Sequence, residues 1–76
     1  MNKLRRKEIA ALMERLEELK SDLENIKNDE EEYRDNIPEN LQSSERYEAA
    51  ENACDNLDSA VSALEEAVGY MDEAII

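Results

Sequence analysis

The chain has no histidine, no phenylalanine and no tryptophan, and only one cysteine, one glycine and one proline in 76 residues. Each scarcity removes options. Without histidine there is no ready general base near neutral pH and no imidazole for a metal. One cysteine closes no disulfide within the chain and suits a reducing cytosol. The only aromatics are three tyrosines, so a core must be built from Leu, Ile, Val, Met and Ala. There is no phosphate-cradling glycine loop and no zinc spacing. No run of about eighteen apolar residues exists, so no transmembrane helix is expected. No apolar stretch follows the basic start, so no signal peptide is expected.

What is present is charge and period. The formal net charge is −12. Residues 1–20 carry six basic and four acidic groups, and residues 21–76 carry three basic and seventeen acidic ones. Such a chain is repelled by nucleic acid backbones and by anionic membranes. Direct nucleic-acid and membrane binding are therefore not expected.

Two heptad ladders run along the chain. Ile9, Leu12, Leu16, Leu19, Leu23 and Ile26 alternate three and four apart, with Tyr33 and Ile37 in phase. Ala50, Cys54, Leu57, Val61, Leu64, Val68, Met71 and Ile75 repeat the pattern. These read as the a and d positions of two helices. The e column of the first holds Arg6, Lys20, Lys27 and Arg34; that of the second holds Glu51, Asp58, Glu65 and Asp72. In an antiparallel pair e faces e. One register then sets Arg34 by Glu51, Lys27 by Asp58 and Lys20 by Glu65. It also sets Leu19 near Val68 and Leu23 near Leu64.

The expected fold is all-α: an antiparallel helical hairpin of coiled-coil type in a single domain, residues 1–76. Helix one spans about 3–35, the connection 36–44 and helix two about 45–74. Pro38 ends the first helix, because the residue before proline avoids the helical region. Pro38–Leu41 suits one helical turn, with Ile37 and Leu41 folding back over the bundle end. Ser43 or Ser44 suits the N-cap of helix two, with Glu45 and Glu48 in its first turn. Gly69 falls on the outer face and costs about 1 kcal/mol relative to Ala. Tyr33 and Tyr47 read as core residues at the bundle end with hydroxyls reaching water.

A lone hairpin of this length buries little surface, and chains this small often need oligomerisation. Ala53, Ala60, Ala67 and Ala74 recur seven apart at g in helix two. Small side chains let another backbone approach. This column is the expected oligomer interface, making a dimer that forms a four-helix bundle.

No reaction chemistry is expected, and the chain does not read as an enzyme. Carboxylate pairs such as Glu65–Glu66 lie on exposed helix positions, outside any pocket of the kind that acid/base work needs. Cys54 reads as a small buried hydrophobe. No metal ligands and no cofactor are assigned. The acidic run Asp29–Glu32 lacks the oxygen ladder of a calcium loop. Glu30, Glu31, Glu32 and Asp35 are instead an expected acidic binding surface. Lys3, Arg5, Arg6 and Lys7 are expected to pair with Glu65, Glu66, Asp72 and Glu73. In an oligomer they are also a candidate anion site, with a nucleotide as ligand.

The stretch DNIPENLQSSERYEAAENACDNLDSAVSALEEA, residues 35–67, resembles a block in short acidic helical proteins of bacteriophages, prophages and the gut bacteria that carry them. With the preceding EEEYRDN it covers about half of the chain. That group is uncharacterised, so the resemblance assigns no site residues. It implies a phage or prophage context and the cytoplasm of a bacterial host. The functional expectation is a small non-catalytic oligomeric protein that binds itself and other proteins. The alternative is a phage inhibitor of a host defence system. That would be an acidic nucleic-acid mimic bound to a basic host protein, or an oligomeric sponge for a nucleotide signal.

Overall fold

The computed structural model describes all residues, Met1–Ile76. Two long helices dominate it: α1, Lys3–Asp35, and α2, Glu45–Ala74. They pack against each other as a hairpin 59 Å long and 15 × 13 Å across. Asn2 caps α1, its Oδ1 accepting from the Arg5 amide at 2.8 Å. A 3₁₀ turn, Glu39–Leu41, follows Pro38. Ser44 caps α2: its Oγ accepts from the Tyr47 amide at 3.3 Å, and its hydroxyl donates to the Leu41 carbonyl. Ile37 is buried, 3% exposed, and seals the turn end of the seam. Leu41, expected beside it, is 44% exposed and does not close over the end.

Two of the three ion pairs of the expected register form. Lys27 Nζ lies 3.2 Å from Asp58 Oδ1, and Lys20 Nζ lies 3.7 Å from Glu65 Oε1. Arg34 instead bonds its chain neighbour Asp35 at 3.1 Å, a partner that needs no reach across the seam.

The register has a second consequence. If Lys20 is level with Glu65 and Lys27 with Asp58, then Ile76 is level with Ile9. Residues 1–8 therefore project past the end of α2. This corrects the expected pairing of Lys3, Arg5, Arg6 and Lys7 with Glu65, Glu66, Asp72 and Glu73. None of the four makes an ion pair, because little of α2 lies beside them.

The roll of α1 also differs from the ladder reading. Its partly buried residues are Ile9, Met13, Leu16, Lys20, Leu23, Lys27, Glu30 and Arg34, which are columns a and e, with Glu24 and Glu31 beside them in column b. Column d points out: Leu12 is 46% exposed, Leu19 57%, Ile26 56% and Tyr33 43%. Leu19 is therefore not a core partner of Val68. The physical reason is a competition at one seam. Bringing e residues within ion-pair distance of α2 turns their aliphatic stems onto it, where they cover apolar surface. The same roll carries d away. In α2 the seam is wider, spanning a, d and g, with Ala50, Cys54 and Val61 buried.

Candidate interaction surface

An α-helix turns about 100° per residue, so in a heptad d and g are neighbours on one edge, and a and e on the other. In this hairpin the two edges make two unlike sides. One side carries the e columns and their ion pairs, Lys20–Glu65 and Lys27–Asp58. Lys20 and Lys27 keep only 20% of their side chains exposed. Both lysine pKa values are raised, first by a hydrogen bond to a carboxylate: Glu17 for Lys20 and Asp58 for Lys27.

The other side is apolar. Arg46 shares the g column with Ala53, Ala60 and Ala67. Its Nε donates to the Tyr33 hydroxyl at 2.7 Å, and its Cζ lies 5.3 Å from the Tyr33 ring centroid. Tyr33 ends the d column of α1. That contact places column d of α1 and column g of α2 on the same side of the hairpin. The result is a stripe of Leu12, Leu19, Ile26 and Tyr33 beside a row of alanines. The stripe is about 32 Å long at the helical rise. Ala53, Ala60 and Ala67 are half-buried along its edge, and Ala74 is exposed.

Periodicity marks the alanines but not the leucine stripe, whose heptad positions read as core. One signal was available. Met13 stands in the otherwise basic e column, which marks that column as seam-facing.

The remaining candidates are spread out. Glu30 and Glu31 are half-buried, and Glu32 and Asp35 exposed. Glu31 lies 3.9 Å from Lys27, and Asp35 is held by Arg34. The four carboxylates thus do not share one open face. Lys3, Arg5, Arg6 and Lys7 gather on the overhanging end of α1. Cys54 is 3% exposed, and its thiol pKa is raised by burial. An open groove of about 480 Å³ lies between the helices near the open end, lined by Ala10, Met13, Val68 and Ile75 together with Glu14, Glu17 and Glu18. No three or more acidic or cysteine side chains are arranged to hold a metal ion. No helix is long and apolar enough to cross a membrane.

Comparison with protein-family models, with curated proteins and with solved structures finds no match to this chain.

Proposed function

We infer that this chain is a non-catalytic interaction protein that works as an oligomer, associating through its apolar side. The observation that supports it most is the exposed stripe Leu12, Leu19, Ile26 and Tyr33, on a chain with only four buried residues. Scattered exposed leucines need no explanation. A column of them repeated every seven residues and flanked by alanines is the pattern of a helix–helix contact. The resemblance of residues 35–67 gives this reading a phage or prophage setting, in which the oligomer meets proteins of a bacterial host.

Light scattering on the unmodified protein tests the reading. A dimer is expected at micromolar concentration. Leu19→Glu with Ile26→Glu is expected to give a monomer that keeps its helical circular dichroism. Ala60→Glu with Ala67→Glu is expected to do the same from the other helix. A monomer for the unmodified protein overturns the reading.

A further inference from the structure

We propose that two copies pack apolar side to apolar side with their ends reversed, so that the basic overhang of each copy lies on the acidic turn of the other. This rests on the self-association reading and adds the identity and orientation of the occupant.

Surface area argues for a partner of this size. A compact chain of 8.8 kDa exposes about 4,800 Å². This hairpin exposes 5750 Å². The excess, 5750 less about 4,800, is about 1,000 Å². Each partner in a standard interface contributes about 800 Å². A second copy offers a stripe of the same length, the same seven-residue spacing and the same apolar character.

Charge selects the orientation. Residues 1–7 carry four basic groups and no acidic one, for +4. Residues 29–48, around the turn, carry eight acidic and two basic groups, for −6. Two arrangements bring the apolar sides together. A two-fold axis along the hairpin sets open end by open end and turn by turn, with α1 resting on α2 of the second copy. That brings +4 against +4 and −6 against −6. An axis across the hairpin reverses the ends and lays α1 antiparallel on α1 of the second copy. Then +4 meets −6 at both ends. Like charges brought together cost energy and opposite charges gain it. With −12 on each copy, charge chooses the orientation and apolar contact supplies the attraction.

The sequence spacing fits the crossed axis. Column d of α1 is symmetric about the midpoint between Leu19 and Ile26. An axis there sets Leu19 against Ile26 of the second copy, and Leu12 against Tyr33. Arg5 belongs to the same column, one heptad before Leu12. It then reaches the second copy's turn at the level of residue 40, near Glu39. On α2 the same axis brings Ala60 towards Ala67 of the second copy. Small side chains there allow a close approach, while the large ones on α1 fill the wider contact.

A covalent trap and a distance measurement test the arrangement. Leu19→Cys and Ile26→Cys are introduced together with Cys54→Ala, and the protein is mildly oxidised. Within one chain these two positions lie two turns apart, about 10 Å, beyond the reach of a disulfide. A disulfide-linked dimer on a non-reducing gel is expected. Separately, Lys3→Cys is spin-labelled, once with Cys54→Ala and once with the buried Cys54 retained. A label-to-label distance close to the 59 Å length of the hairpin is expected. Open ends set together would give roughly 20 Å, two helix diameters. Replacing Lys3, Arg5, Arg6 and Lys7 with Glu is expected to weaken the dimer about tenfold, as loss of several exposed charge contacts does. A dimer with no cross-link and the short label distance overturns the arrangement and leaves self-association standing. A monomer for the unmodified protein overturns both.

Discussion

Lys27 Nζ donates to Asp58 Oδ1 at 3.2 Å across the seam, joining residues thirty-one apart in the chain. The bond matches the register of the hairpin, and shifting either helix by one turn would break it. Asp58→Lys is expected to lower the melting temperature, and Lys27→Glu added to it to recover part of the loss. Circular dichroism melts of the single and double variants measure this. Equal melting temperatures for all three would remove the register role.

The same pair gives a pH dependence. Hydrogen bonding to Asp58 raises the Lys27 pKa, and bonding to Glu17 raises that of Lys20. A raised pKa in the folded state stabilises the fold while the lysine is charged. That stabilisation is fully present below the ordinary lysine value of about 10.4. It is lost as pH rises through the raised folded values. The melting temperature should therefore fall above about pH 10.4, and fall less in a Lys20→Gln, Lys27→Gln variant. Alkaline melts that superimpose for the two proteins would contradict it.

Cys54 is buried on α2, and burial pushes its thiol pKa up. The thiolate is the reactive form, so a thiol reagent at pH 8 should label the folded protein far more slowly than the urea-unfolded one. Cys54→Ala should cost about 1 kcal/mol, the scale of one buried methylene-sized group. Equal labelling rates would show that the thiol is accessible.

Gly69 lies inside α2, and a Cβ built there meets nothing within 4 Å. Gly69→Ala should therefore stabilise the protein by about 1 kcal/mol through helix propensity alone. Urea denaturation measures it. A loss of stability would mean that the outer face of α2 is covered at this point.

Ser44 holds the start of α2 through both the Tyr47 amide and the Leu41 carbonyl. Ser44→Ala should cost about 1 kcal/mol, and Ser43→Ala about 0.5 kcal/mol or less, as for a surface change away from such features. Comparable losses for both variants would place the cap elsewhere.

The helices, their ends and their register were legible in the residues. Pro38 stops α1, Ser44 starts α2, and opposite charges at Lys20, Lys27, Asp58 and Glu65 align the two. The overhang of residues 1–8 was contained in that same register. Charge complementarity points the basic start at α2, but α2 is too short to lie beside it. The apolar side was legible by half. The alanine column stands out in the sequence, whereas the heptad pattern points Leu12, Leu19 and Ile26 inward.

Periodicity by itself determined that this chain makes two long helices, since a three-four alternation of apolar residues suits only an α-helix. Charge columns determined that they run antiparallel, and in which register. Only the tertiary structure decided how α1 is rolled about its own axis. Columns a and d are spaced three and four apart, and so are columns a and e. Spacing alone is therefore met by either pair of columns, and residue type favours d, since column e is basic apart from Met13. Packing against α2 selects e instead: the stems of Lys20 and Lys27 lie on the seam while their charges reach Glu65 and Asp58. Leu12, Leu19, Ile26 and Tyr33 are left on the outside.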